Sequence, residues 1–223
     1  MKIRFKGLFT AGVIVLAFIA VNAAHAIPFS EIGDAGNLLP TSQAVGSGVN
    51  SISGSLSSAG DVDLYRLGLS SGLFTASTGV AAVGVGPDTQ LFLFDSTGRG
   101  IVYNDDATGL TTQRSLVSAT LTAGTYYLGI SVWNIDPYSA GGNIFPDTYF
   151  CCSTPIAGPT GPGGALPLSY WAPGPSGTNG SQPGRYVISL NQSTVPEPSS
   201  LLLLGSGLIG LALWGRKRAK ARN

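Results

Sequence analysis

Histidine, cysteine and lysine are scarce in this sequence, and their scarcity removes several classes of catalytic mechanism. The only histidine is His25, and the two cysteines are the neighbours Cys151 and Cys152. We expect His25 to be lost with an N-terminal signal, which leaves no imidazole to act as a general base. A thiol nucleophile would lack its activating base. Adjacent cysteines cannot close an ordinary disulfide loop, so free thiols, a strained vicinal bridge and an intermolecular link all remain open.

Charge is also sparse, and it is distributed unevenly. Every lysine lies before residue 7 or after residue 215. The segment 27–194 holds four arginines against ten carboxylates, a formal net charge of −6. An acidic body without lysine argues against nucleic acid and against an anionic membrane surface as binding partners.

The first 26 residues have the pattern of a secretory signal peptide. Lys2, Arg4 and Lys6 precede an apolar stretch over 8–21, and Ala24-His25-Ala26 supplies the small residues of a cleavage site. We therefore expect signal peptidase to cleave after Ala26. An uncleaved anchor is the alternative, and the short apolar stretch argues against it.

The sequence 195–223 has three consecutive parts. Pro196-Glu197-Pro198 is followed by an uncharged stretch over 199–214 and then by a basic tail over 215–223. Sixteen helical residues extend for about 24 Å, and local thinning or snorkelling allows that length to cross a hydrocarbon core of about 30 Å. We predict a transmembrane helix whose adjacent cations hold the tail in the cytoplasm, which places the body outside. A buried core helix would leave the basic cluster unexplained.

This layout resembles the PEP-CTERM sorting signal of Gram-negative bacteria, with Pro196, Glu197 and Pro198 as its tripeptide. The resemblance implies that an exosortase, a membrane cysteine peptidase, recognises the tail. It also implies transient anchoring in the inner membrane, followed by transfer of the body to the cell surface or the extracellular matrix. Proline cannot continue a helix and favours extended backbone before it, so we expect an extended motif at the membrane edge.

Between the two ends, glycine and proline separate short runs that are rich in β-branched and aromatic residues. No long 3.6-residue periodicity interrupts this pattern, which favours strands. We predict that 27–194 forms an all-β exported domain, a jelly-roll-like sandwich of about eight strands. The predicted strands are 51–57, 62–69, 73–80, 89–95, 101–105, 114–121, 125–133 and 185–190.

Four segments of this body resemble, in order, the pre-peptidase C-terminal (PPC) type of β-sandwich, an appendage of secreted bacterial hydrolases. They read GDVDLYRLGL, DTQLFLFDSTGRGIVYNDD, SLVSATLTAGTYYLGIS and GRYVISL. The resemblance implies a sandwich fold, and some domains of this kind bind calcium. One departure is large, because 133–184 intervenes before the final strand. Its glycine and proline content predicts an irregular insert rather than a second packed domain.

The aromatic residues of the insert have two interpretations. They either bury against the sandwich and anchor the insert, or they present flat rings to a sugar or a proline-rich chain. Trp133, Tyr170 and Trp171 are the candidates for ligand binding, with extracellular polysaccharide as the expected ligand.

Aspartates recur at the predicted strand ends. Aspartate is a common turn residue there, whereas the alternative is a Ca²⁺ site, which needs six to eight oxygen ligands. Asp105 and Asp106 are the best candidates, because neighbouring carboxylates repel each other without a counter-ion. No other cofactor is expected.

Taken together, these patterns favour a non-enzymatic surface or matrix protein with an adhesive or ligand-binding sandwich. The alternative is a periplasmic accessory or binding module that stays tethered to the membrane. It differs from the surface protein only in that its tail is never removed. A secreted hydrolase would need two aspartates held about 5–9.5 Å apart, a geometry that the sequence alone does not fix.

Overall fold

The computed structural model describes most of the predicted exported body. The described residues are 27–79, 87–107, 114–146, 155–174 and 182–194, together with positions 206, 207 and 209. The signal peptide, both cysteines, the motif 196–198 and nearly all of the span and basic tail lie outside them. Among the described residues, no helix combines the length and the apolar character needed to cross a membrane.

The described part of the chain is almost entirely β-structure, which confirms the predicted all-β sandwich. One five-stranded sheet has the order β1-β3-β13-β5-β8 and the other has the order β2-β4-β9-β6-β7, while β11-β10-β12 form a small third sheet. A short 3-10 turn spans Leu39–Thr41. The strands are β1 (Ile27–Ser30), β2 (Gln43–Ala44), β3 (Val49–Leu56), β4 (Val62–Leu69), β5 (Gly72–Gly79), β6 (Thr89–Phe94), β7 (Gly100–Asn104), β8 (Leu116–Leu121), β9 (Gly124–Val132), β10 (Ile135–Ser139), β11 (Gly142–Asn143), β12 (Tyr170–Pro173) and β13 (Gly184–Thr194).

Each of the eight predicted segments forms a strand. The additional strands β1, β2, β10, β11 and β12 are only two to five residues long. Strands of two to four residues cannot display the repeated alternation from which a strand is recognised, and β10 contains Pro137, a residue that argues against a strand. The prediction of about eight strands therefore covers the long strands and misses the short ones.

The interior strand β6 is buried along its whole length. Successive side chains of a strand point to opposite faces of its sheet. Leu91 and Leu93 belong to the core between the two large sheets, whereas Phe92 and Phe94 belong to a second apolar cluster on the outer face. Both faces of this sheet are therefore covered.

The insert supplies the cover for the outer face. Phe145 lies 5.7 Å from Phe92 between ring centroids, and the Trp171 ring packs edge-on against Phe92 at 5.3 Å. The indole Nε1 of Trp171 also donates a hydrogen bond of 2.7 Å to the carbonyl of Asn37. The insert is thus more regular than predicted, because it contains β10, β11 and β12 and packs on the sandwich.

Replacing Trp171 with alanine should lower the free energy of unfolding by about 3 kcal/mol, because it removes ring packing on β6 and leaves a cavity. The matched control is Tyr170→Ala on the same strand, where the side chain is 49% exposed and the expected loss is about 1 kcal/mol. Urea denaturation of both variants measures the difference. Equal losses would show that the insert is not anchored through Trp171.

Candidate metal centre and aromatic pair

Three aspartates meet at one edge of the second large sheet. Asp88 directly precedes β6, while Asp105 and Asp106 directly follow β7. β6 and β7 are antiparallel neighbours, so the start of one strand lies beside the end of the other. One carboxylate oxygen from each residue lies within 4.8 Å of the others. The structure thus adds Asp88 to the pair that the sequence predicted.

The environment of these carboxylates disfavours negative charge. Asp105 is 2% exposed, and its Oδ1 atom accepts no hydrogen bond from any described residue. Burial, followed by the neighbouring carboxylates of Asp106, Asp88 and Asp136, raises the pKa of Asp105 to about 8. Burial and then Asp106 raise the pKa of Asp88 to about 6. A bound cation would relieve both the desolvation and the mutual repulsion.

The donor set suits a hard divalent cation. Three carboxylates offer up to six oxygens, and Ca²⁺ takes six to eight oxygen ligands. The buried Oδ1 of Asp105 is the kind of orphaned acceptor that a metal ion satisfies. A site buried to this degree also suits an ion better than a polymer chain, which argues against Asp105 as the acid of a glycoside hydrolase.

A second carboxylate group, formed by Glu31, Asp34 and Asp63, escaped the sequence analysis. Its ligand atoms also lie within 4.8 Å of one another, so it too has the composition of a cation site. The oxygens of Glu31 already accept backbone hydrogen bonds, from Ala35 at 3.0 Å and from Ser55 at 2.9 Å. Glu31 therefore ties the segment after β1 to the end of β3.

Asp63 links this second group to the core of the sandwich. It is fully buried, and burial raises its pKa. The hydroxyl of Tyr186 donates to its Oδ2 at 2.5 Å, and the hydroxyls of Tyr186 and Tyr65 lie 2.5 Å apart. Burial raises the pKa of both tyrosines as well. The sequence signal was present, because Asp63 alternates with Tyr65 and Leu67 on the core-facing side of β4.

The three candidate ligand-binding aromatics do not share one surface. Trp171 packs on Phe92, as described above, and its neighbour Tyr170 points to the opposite face of β12. Tyr170 is half exposed and stacks on Tyr138, with ring centroids 5.2 Å apart and an interplanar angle of 16°. The exposed aromatic pair is therefore Tyr138 and Tyr170. Tyr138 was not a candidate, because its pairing with Tyr170 depends on the register of β10 and β12.

In metal-free buffer, the free energy of unfolding should fall as the pH rises from about 4 to about 8. The pKa values of Asp105 and Asp88 lie above the ordinary 3.8 in the folded chain. The folded chain therefore keeps protons that the unfolded chain has already released. Urea midpoints at about pH 5 and about pH 7.5 measure this fall, and Asp105→Asn should make it shallower. A wild-type midpoint that rises over this interval would contradict the assignment.

The family model of the PEP-CTERM protein-sorting motif matches residues 194–217 at the tail of the chain. The comparison of the chain with curated proteins gives no match.

Two solved structures are similar to this chain. One is the pre-peptidase C-terminal domain of a collagenase from Bacillus anthracis, with 13% identity, a TM-score of 0.35 and coverage of 76% of this chain and 100% of that domain. The other is a periplasmic inhibitor of g-type lysozyme from Aeromonas hydrophila, with 11% identity, a TM-score of 0.31 and coverage of 75% and 100%. The strand order and the registers given above, and not these two similarities, define the fold of this chain. The chain carries a PEP-CTERM sorting signal directly after the last strand of a β-sandwich, and that signal implies export and recognition by an exosortase.

Proposed function

We propose that this protein is a non-enzymatic component of the cell surface or extracellular matrix of a Gram-negative bacterium. The sorting tail anchors it transiently in the inner membrane, and an exosortase then releases the sandwich. The observation that carries the proposal is the sorting motif, whose match begins at Thr194, the final residue of β13. A periplasmic module that remains tethered is the second candidate, and it requires only that the tail is never cut.

The described carboxylates give little support to a hydrolase. Asp63 and Asp105 are almost completely buried, at 0% and 2% exposure, and a polysaccharide cannot reach a carboxylate enclosed in this way. The buried acids are better explained as ion ligands and hydrogen-bond acceptors. These features favour a binding or adhesive body.

The adhesive surface in this proposal is the Tyr138–Tyr170 pair on the small sheet. Stacked, partly exposed rings offer a flat apolar face with polar hydroxyls at its rim, which suits the face of a sugar ring. Extracellular polysaccharide is the proposed ligand. Trp171 contributes to this surface only by holding β12 against the sandwich.

Glu197→Ala should reduce processing of the tail while the sandwich stays folded, because Glu197 lies beyond β13. The ratio of precursor to mature form, in a host that contains an exosortase, measures this effect, and the matched control is Ser199→Ala. Intact mass analysis of the wild-type surface protein should show a new C-terminus near Pro196-Glu197-Pro198. Surface protein that retains Arg222 and Asn223 would instead support the tethered module.

Calcium is the proposed resident ion of the Asp88, Asp105 and Asp106 group. Calcium at about 100 times its dissociation constant should stabilise the body, residues 27–194, by roughly 2.7 kcal/mol. Melting in EDTA and then in millimolar calcium, at matched ionic strength, measures the shift. Equal melting temperatures in EDTA and in calcium would show that these aspartates bind no calcium and serve only as turn residues.

Paired variants separate the two carboxylate groups in the same experiment. The double variant Asp105→Asn/Asp106→Asn should lose the calcium shift, whereas Asp34→Asn should keep it. The opposite pattern would assign the ion to the group of Glu31, Asp34 and Asp63.

A further inference from the structure

Both ends of the body leave the sandwich on the same side. Thr194 pairs with Gly72 at the start of β5, and Gly72 pairs with Leu121 at the end of β8. Ile27 pairs with Val49 at the start of β3. We call this the tail-side end, and the short connections 70–71 and 122–123 also lie there.

The tail-side end carries little charge. No lysine, arginine, aspartate or glutamate occurs in 45–50, 69–73, 121–125 or 189–194. The β6–β7 turn is also on this side of the sandwich, because Phe94 at the end of β6 pairs with Tyr127 near the start of β9, and it carries one acid and one base, Asp95 and Arg99. Asp95 accepts a hydrogen bond of 3.0 Å from the backbone N–H of Arg99. This end is therefore close to neutral.

The other end of the sandwich, which we call the acidic end, collects nearly all of the carboxylates. Asp61 precedes β4 and Asp88 precedes β6, whereas Asp105 follows β7, and all three positions lie opposite the tail-side end. Eight of the nine described carboxylates lie in this half: Glu31, Asp34, Asp61, Asp63, Asp88, Asp105, Asp106 and Asp136. Arg114 and Arg185 lie in the same half, so its described residues carry a formal charge of −6 (two arginines against eight carboxylates), whereas the other half, with Arg66, Arg99 and Asp95, carries +1.

The chain between the sandwich and the predicted span is very short. Only Val195 to Pro198 separate Thr194 from the uncharged stretch 199–214, and four extended residues reach at most about 14 Å. An eight-residue strand such as β5 is itself about 26 Å long. The tail-side end must therefore remain near the bilayer, while the acidic end has room to stand clear of it.

We propose that, while the tail is in the membrane, the sandwich stands on its tail-side end, with this nearly neutral surface against the lipid headgroups and the acidic end pointing away. This orientation rests on the proposed membrane insertion of the tail. It keeps the eight carboxylates of the acidic half more than a Debye length, about 8 Å, from anionic lipids. It also leaves the candidate metal centre and the surrounding loops open to the periplasm.

The full chain in vesicles of phosphatidylethanolamine and phosphatidylglycerol tests this orientation. In a background of Cys151→Ser and Cys152→Ser, single cysteines are introduced by Ser71→Cys at the tail-side end and Ser58→Cys at the acidic end. Each is labelled with a fluorophore and exposed to lipids with nitroxide headgroups in both leaflets. Quenching at position 71 should exceed quenching at position 58 by at least about threefold. A flexible insertion of ten residues after Thr194 should weaken the quenching at position 71, because a linker of that composition lets the body move away.

Each contrary result has a distinct meaning. Failure of the chain to float with the vesicles would overturn membrane insertion of the tail, and the orientation with it. Flotation with equal quenching at both positions would overturn the orientation alone. If quenching at position 71 survives the ten-residue insertion, the short connection is not what holds the tail-side end at the bilayer. Direct affinity of this surface for lipid would then explain the orientation. If position 71 becomes inaccessible only when an exosortase is present, the tail-side end contacts that enzyme rather than lipid.

Discussion

Burial of β6 on both faces is the constraint on which the insert and the candidate metal centre depend. Its odd-numbered leucines fill the core between the sheets, while Phe92 and Phe94 leave an apolar outer face that must be kept from water. The insert supplies that cover. The pairing of β6 with β7 also places Asp88, at the start of β6, in partly buried surroundings beside Asp105 and Asp106. The position of β6 in the sandwich therefore explains both why the insert covers the outer face of this sheet and why Asp88, Asp105 and Asp106 lie close together.

The two acidic groups meet the cost of burial in different ways. Asp63 receives a hydrogen bond from Tyr186, which crosses from the opposite sheet and joins the two layers. The neighbouring carboxylates of Asp106, Asp88 and Asp136 instead add to the cost of charging the buried Asp105. An isolated buried charge is expensive unless it is paired or coordinates a metal. Each group keeps an aspartate oxygen without a hydrogen-bond partner among the described residues, Oδ1 of Asp63 and Oδ1 of Asp105, but only Asp63 has a tyrosine hydroxyl on its other oxygen.

The eight predicted strands were recognisable because runs of apolar, β-branched and aromatic residues between glycine- and proline-containing turns are visible in one sequence. The pairing of Tyr138 with Tyr170 was not, since it joins two short strands that lie far apart in the chain. Adjacent acids singled out Asp105 and Asp106, but Asp88 joins them only through the antiparallel pairing of β6 and β7. The sorting motif was the feature most easily recognised from the sequence, because it consists of three consecutive parts and depends on no tertiary contact.

The last strand of the body is also the middle strand of its sheet. β13 lies between β3 and β5 and pairs with both, although those strands precede it by more than a hundred residues. Until β13 has crossed the membrane, β3 and β5 keep unpaired edges that other chains could join. Completion of this sheet is therefore a non-local and intrinsically slow event, which must wait for the end of translocation. Since the sorting motif follows β13 at once, the strand that completes this sheet is exported immediately before the sorting signal itself.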